Sequence, residues 1–410
     1  MKTNSGTCLG CNNTLPPAFL NLGWMPLANS YVHPEKCRFP DPTYPLAVAY
    51  CTNCHLVQLT KTVSPGQMFN EYSYYSSFSD SFLAHVREMA GELITRFNLC
   101  PPNFVLEIGS NDGHLLRHFH DRGIRSLGIE PAKNIALDAQ RRGIPTLNRF
   151  FNQETVGLIL RHFGKADLII GNNVLAHVPD INGFLQAVSL SLRPWGVAVF
   201  EFPYLKELLE RIEFDTIYHE HVFYLSLSAL HILAERAGIH IFDVMTYQLH
   251  GGSLRVFLQK GTTHQVSPIV ASIMKDEAES GLTGPERYAS FSRDVTRLKE
   301  QLLSTLRELK DAGKRIAAYG APAKGNTLMN FCGIGTDLVE FTVDRNPHKQ
   351  GLFTPGSRVP IRHPNDLLNN APDYALLLPW NLAGEIIYQQ RSYIRGGGSF
   401  IIPLPKPRLI

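Results

Sequence analysis

The spacing of apolar residues changes character three times along the chain. Up to about residue 70, short apolar runs such as PLAVAYC sit among Pro, Asn, Thr and Cys with no helical repeat over any long window. That reads as a small module held by something other than a large core. The stretch SDSFLAHVREMAGELITRF then places Phe82, Leu83, Val86, Met89, Leu93 and Ile94 on one face of a helix. From Asn103 strands and helices alternate: FVLEIG and LLRHFHDRG, RSLGIE and AKNIALDAQRRG, DLIIGNNVL and INGFLQAVSLSL, then VAVFEF. This alternation predicts a doubly wound parallel α/β sheet. A second alternation begins at Lys314 with RIAAYG, passes through LVEFTVD and YALLLPW, and closes on SFIIPLP, as in a smaller Rossmann-like unit. Between the two, residues 284–313 carry Phe291, Val295, Leu298, Leu302, Leu306 and Leu309 at steps of three and four, an amphipathic helix that packs two units together.

Composition narrows the class. At 410 residues the chain is long for one core, and the boundaries that the changes of pattern suggest are 1–70, 71–240 and 241–410. An apolar fraction of 44% and a charged fraction of 18% describe a globular α/β protein. A net charge of +3 without a Lys/Arg run gives no footprint for nucleic acid. The amino terminus has no apolar signal core and no stretch is long and apolar enough to span a membrane, so the expected location is the cytoplasm. The cysteines, seven in all, are then expected to be mostly reduced.

Four of these cysteines form two C-x-x-C knuckles, Cys8–Cys11 and Cys51–Cys54, about 40 residues apart. The pattern suits four thiolates around a tetrahedral Zn²⁺, a closed site that holds a fold and leaves no position for chemistry. Cys37, Cys100 and Cys332 lack paired neighbours and read as small buried hydrophobes, and His55 as a bystander.

The first strand–turn–helix, VLEIGSNDGHLL, lacks the G-x-G-x-x-G of a dinucleotide site. S-adenosylmethionine is a cationic sulfonium with an amino-acid tail and no phosphate, and it suits carboxylates around a glycine turn better. Glu107 ends the strand, Gly109 and Gly113 frame the turn, and Asp112 within it is placed to serve the cofactor. Glu130 ends the second strand about 20 residues on, where an acid accepts bonds from ribose hydroxyls. Asn172, Asn173 and His177 fall at the carboxyl edge of a later strand, where such sheets bind ligands.

FDTIYHEHVFY, residues 214–224, admits three readings. His219 and His221 project to one side of an extended segment as metal ligands would, yet no third ligand stands nearby. Phe214, Ile217, Val222, Phe223 and Leu225 are core-like, and a buried His or Tyr is often just hydrogen-bonded. The third reading is acid/base work: a His oriented by Glu removes a proton alpha to a carbonyl, and Tyr or His donors stabilise the enolate. GAPAKGNTL likewise puts Gly320, Lys324 and Gly325 in a turn before a helix, suited to a phosphate or to an ordinary βα turn capped by Asn326 or Thr327. Asp344, after the next strand, would overlook the same cleft.

EIGSNDGHLL, GIEPAKN, NNVLAHVPD, EFPYL, FDTIYHEH, HGGSLRV and YGAPAKGNTLMN, in that order behind the two knuckles, resemble the three-domain nucleotide-sugar C-methyltransferases, which make branched deoxysugars. The resemblance spans essentially the whole chain. It implies a zinc-binding domain in 1–70, an S-adenosylmethionine domain in 71–240, and in 241–410 a Rossmann-like domain closing a cleft over a nucleotide-linked 4-keto-deoxysugar, carried by dTDP or another nucleoside diphosphate. It makes His221 the general base, with Tyr218, Glu220 and His177 orienting the ketosugar, assisting the base and stabilising the enolate oxygen. Tyr72 of EYSYYSS matches an aromatic segment that reaches the active site. Glu107, Gly109, Asn111, Asp112, Gly113, Glu130, Asn172 and Asn173 are implied for the cofactor, and Lys324, Gly325, Asn326, Arg255, Tyr204 and Asp344 for the substrate. His219 has no assigned role. The family often has Ala where this chain has Gly109, and an aromatic where it has His114. The protein is expected to act as a monomer, away from nucleic acid and membrane. Two alternatives use the same residues: methylation of another enolisable ketone, and a non-catalytic zinc- and nucleotide-binding regulator.

Overall fold

A computed structural model describes residues 2–3, 6–64, 68, 80–248 and 251–410, the side chains of 2, 3 and 80–82 excepted. Tyr72 lies outside the described residues.

The central sheet has seven strands, ordered His240–Tyr247, Ser253–Gln259, Leu192–Pro203, Ala166–Asn172, Phe104–Ile108, Arg125–Ile129 and Thr146–Leu147. From Leu192–Pro203 onward every pairing is parallel, whereas Ser253–Gln259 runs antiparallel to both its neighbours. Each residue of Phe104–Ile108 is buried, as a parallel strand covered on both faces must be. The sheet takes two strands from beyond residue 240, because the open edge at Leu192–Pro203 is covered by this later hairpin. Strand order reverses between Phe104–Ile108 and Ala166–Asn172, and a ligand crevice forms at the carboxyl ends of strands flanking such a reversal.

A second sheet is ordered Ile361–Arg362, Thr342–Val343, Ile316–Tyr319, Tyr374–Leu377, Ser399–Ile402 and Arg408–Leu409. It is parallel up to the last strand, which turns back on Ser399–Ile402. Its order reverses between Ile316–Tyr319 and Tyr374–Leu377, so the turns after those two strands share a crevice.

The helix Pro285–Asp311 is 27 residues long and buries Tyr288, Phe291, Val295, Leu298, Leu302 and Leu306. Those side chains share a core with Leu20, Tyr50 and Val57 of the amino-terminal sheet and with Ile316 and Leu376 of the carboxy-terminal one. The helix therefore packs these two sheets together. Its Tyr288 ring stacks on Tyr50 with centroids 4.3 Å apart.

The amino-terminal sheet is antiparallel, ordered Leu20–Pro26, Thr43–Tyr50, Val57–Leu59 and then Phe223–Tyr224. Its fourth strand is lent by the chain just after YHEH, with Phe223 opposite Gln58 and Tyr224 opposite Val57. That pairing seats the YHEH loop between the amino-terminal sheet and the central one. Among the described residues no helix is long and apolar enough to cross a membrane.

Candidate active site

The knuckles converge. Cys8 and Cys54 sulfurs are 3.6 Å apart, Cys11 and Cys51 sulfurs 3.5 Å, and all four ligand atoms lie within 4.8 Å of one another. Four sulfurs at about 2.3 Å from a tetrahedral zinc would stand roughly 3.8 Å apart, so the set fits that ion. The Gly10 amide and the Asn13 side-chain amide donate to Cys8 and Cys11 sulfurs. The first knuckle also docks on the central unit, where Asn182 donates to the carbonyls of Leu9 and Gly10 and Arg236 to that of Gly10. Of the other cysteines Cys332 is buried and Cys37 half-buried, but Cys100 is exposed, since it precedes a surface Pro-Pro turn.

At the central switch point lies a cavity of about 940 Å³. Glu107, Gly109, Asn111, Glu130, Asn172, Asn173 and His177 line it, with Ile129, Phe150 and Phe151 as apolar walls. Asn111 and Asn173 bend into the cavity rim at φ values of 47° and 54°, a left-handed conformation that Asn tolerates. Gly109, at φ 67°, has no such latitude: a Cβ there would stand 2.6 Å from Val174 Cγ2. Glu130 accepts the Asn111 and Ala132 amides at 3.0 and 2.8 Å, while burial pushes its carboxyl up to about 7. Burial, with the nearby charges of Glu130 and Asp112, holds the Glu107 carboxyl well above the usual range. Its Oε2 and the Asn172 Oδ1 are buried acceptors without a partner among the described residues. A cationic ligand rich in N–H and O–H donors answers both, and S-adenosylmethionine is such a ligand.

Asp112 and Gly113 do not face this cavity. The Asp112 carboxylate is buried behind the turn, where it accepts from Arg142 at 3.0 Å and lies 3.5 Å from His114 Nε2. Gly113 supplies the left-handed entry to the helix His114–His120, at φ 81°. Both brace the turn.

His221 Nδ1 lies 2.9 Å from the Thr216 carbonyl and Nε2 lies 2.8 Å from the Tyr218 hydroxyl. A carbonyl only accepts, so Nδ1 carries the proton and Nε2 holds the lone pair. The His177 ring meets the His221 ring edge-on at 4.8 Å and forms part of the cavity wall. Burial lowers His177 to about 4, so it is neutral near pH 7. Glu220 is buried and accepts from Asn29 of the amino-terminal module at 2.7 Å. His219 is buried against Tyr44 and donates to its carbonyl at 3.3 Å, so its place is in the packing.

The residues expected for the substrate are mostly engaged elsewhere. Arg255 is buried, donating to Glu201 from Nε at 3.0 Å and to Glu92 and Tyr247 from Nη1 at 2.7 Å each, a network that ties the helix Asp80–Arg96 to the sheet. Tyr204 lies in the core, its phenol pushed up by burial and by the charge of Glu277. Lys324 hydrogen-bonds Asn381 and lies 4.4 Å over the Trp380 ring, with Asp215 and Glu213 as counter-charges. Gly325 is small because its helix presses on Leu378, 2.7 Å from where a Cβ would stand. Asn326 is buried and donates to the Ala28 carbonyl, and Asp344 accepts the Ala321 and Asn346 amides. These contacts join domains and shape turns. Sequence reasoning missed Asn29, Asp215, the Thr216 carbonyl and Trp380. Only Asp215 carried a signal, an acid within the singled-out motif.

A methyl-donor cavity beside a His of fixed tautomer, with a four-cysteine zinc set on the same chain, defines the class as a zinc-containing S-adenosylmethionine-dependent methyltransferase. Family comparisons agree: residues 8–69 match a zinc binding domain, 82–243 a methyltransferase domain and 248–405 a C-methyltransferase C-terminal domain. The C-methyltransferase NovU of Streptomyces niveus is 38% identical over 392 residues, 95% of this chain and 93% of its own. An uncharacterized methyltransferase of Mycobacterium leprae is 25% identical over 134 residues, 32% of this chain and 49% of its own. A solved S-adenosylmethionine-dependent methyltransferase from Clostridium acetobutylicum aligns at 12% identity over 44% of this chain and 92% of its own, with a TM-score of 0.36, too low to carry an argument. The chain belongs to the C-methyltransferase family that NovU represents, and it is an S-adenosylmethionine-dependent C-methyltransferase acting on a small molecule.

Proposed function

We propose that the protein methylates the carbon alpha to the ketone of a nucleotide-linked 4-keto-deoxysugar, in the biosynthesis of a branched deoxysugar. The observation that carries the reaction type is the fixed tautomer of His221, its basic Nε2 one ring away from the cavity wall at His177. The motif order of the chain supports the sugar.

His221 Nε2 takes the proton alpha to the ketone; the C–H pair becomes the enolate double bond and the ketone oxygen takes the charge. Tyr218, whose hydroxyl rests on Nε2, turns to donate to that oxygen, and Tyr72 is proposed as a further aromatic residue of the site. Neutral His177 stands between base and cavity, where it orients the ketosugar without adding a competing charge. Glu220, held by Asn29, ties the loop to the amino-terminal module. Glu107, Gly109, Asn111, Glu130, Asn172 and Asn173 hold S-adenosylmethionine, which when bound supplies an electrophilic methyl to the enolate carbon. Zinc at Cys8, Cys11, Cys51 and Cys54 is structural, and a reduced four-cysteine set suits work in the cytoplasm. We further propose three units, the central one extending through the strand Ser253–Gln259, in a monomer.

The test is exchange of the alpha hydrogen into deuterated water with nucleotide 4-ketosugars and S-adenosylhomocysteine. In His221→Asn the exchange should fall by roughly 100-fold or more, the usual contribution of a general base, while cofactor affinity holds. Wild-type exchange in that variant overturns the assignment.

A further inference from the structure

We infer that Trp380 and Lys324 position the general base from the carboxy-terminal unit: they hold the side chain of Asp215, and with it the turn whose Thr216 carbonyl selects the tautomer of His221. This rests on the reading of His221 as base.

A neutral imidazole can place its proton on either nitrogen, and only one tautomer leaves Nε2 basic. The choice is made by whatever group meets Nδ1, here the Thr216 carbonyl at 2.9 Å. Thr216 belongs to a single 3₁₀ turn, Phe214–Thr216, closed by Ile217 N–H on the Phe214 carbonyl and by Thr216 N–H and Oγ–H on the Glu213 carbonyl. One such turn fixes several dihedrals for very few bonds and is not stable by itself.

Its anchors come from the far side of the interface. Trp380 Nε1–H donates to Asp215 Oδ2 at 2.7 Å, with Asp215 fully buried and Trp380 9% exposed. The Lys324 ammonium lies over the same indole and supplies the charge that this buried carboxylate needs. Phe214 packs against Phe331 with ring centroids 5.2 Å apart. Lys324 and Phe331 both lie on the helix Ala323–Cys332, and Trp380 follows the strand Tyr374–Leu377, so the anchors sit at the switch point of the carboxy-terminal sheet. Tyr218 at the other ring nitrogen cannot enforce the tautomer alone, because a hydroxyl both donates and accepts. The lysine of GAPAKGN is accordingly a positioning residue.

The experiment is nitrogen-15 NMR of histidine-labelled full-length protein, with the His221 signals assigned by their loss in His221→Asn. Wild type should show Nδ1 protonated and Nε2 bare. Trp380→Phe, which keeps an aromatic ring but removes the donor, should populate the second tautomer and lower kcat roughly tenfold with little change in KM; a wrong tautomer costs more than this where it is complete. Lys324→Met should shift the same signals, and it carries the test if Trp380→Phe does not fold. Unchanged His221 signals in the folded variants overturn the inference. Should His221→Asn retain alpha-hydrogen exchange, the base reading itself fails; should exchange vanish while the tautomer is indifferent to Trp380 and Lys324, only the positioning fails.

Discussion

Glu130 accepts two backbone amides, yet its carboxyl is lifted to about 7 by burial. Only the ionised form offers acceptors to ribose hydroxyls without also presenting a proton. Binding therefore releases a proton where the free protein holds one, and affinity for S-adenosylhomocysteine should rise with pH up to about 7 and level off above it. Below that value the slope approaches tenfold per pH unit. In Glu130→Gln the affinity should be lower at about pH 8 and the slope below about pH 7 shallower, leaving what the raised Glu107 carboxyl contributes; a slope unchanged from wild type, read by calorimetry, would refute the assignment. Glu130 was legible as an acid at a strand end. The proton position on His221 was not, because a main-chain oxygen selects it and every residue type carries one.

Among the elements, the helix Ala323–Cys332 shows how a motif legible in place carries packing contacts that the sequence does not reveal. The turn before it and its glycine suggested room for a phosphate, but the helix lies so close to Leu378 that a Cβ on Gly325 would stand 2.7 Å away. Gly325→Ala gains about 1 kcal/mol of helix propensity, yet overpacking costs about 1–3 kcal/mol. It should lower stability by about 1 kcal/mol in urea unfolding, and a variant more stable than wild type would show that the helix can retreat. Periodicity found the helices Asp80–Arg96 and Pro285–Asp311 because each has a long apolar stripe. It missed the helix Pro268–Glu279, which buries only Val270 and Glu277. Glu277 is there as an acceptor, taking the Leu227 and Ser228 amides at the start of the preceding helix, Leu227–Arg236.

At the scale of the molecule, the zinc knuckles and the chemistry are coupled through one sheet. The strand Phe223–Tyr224 that follows YHEH is the edge partner of Val57–Leu59, only three residues beyond Cys54. Asn29 reaches Glu220 from the same module. Removing zinc with a chelator should therefore lower Tm and, before global unfolding, reduce kcat, because the edge that seats His221 loosens with the knuckles. Re-addition of zinc should restore both. Full activity after complete zinc removal, measured by elemental analysis, would confine the metal to stability.

Local chemistry and repeat spacing were enough to determine the α/β class, the four-cysteine set and the acids at the strand ends, since each depends on neighbours in sequence or on a period of two or 3.6. Partnership was decided only in three dimensions. Arg255, Tyr204, Asp112 and Lys324 are the polar types that ligands use, but in the fold each meets the protein's own charged or polar groups, and those partners lie up to 170 residues away, as His85 does from Arg255. The Thr216 carbonyl that meets His221 Nδ1 likewise belongs to a turn whose Asp215 accepts from Trp380, a residue of the carboxy-terminal unit.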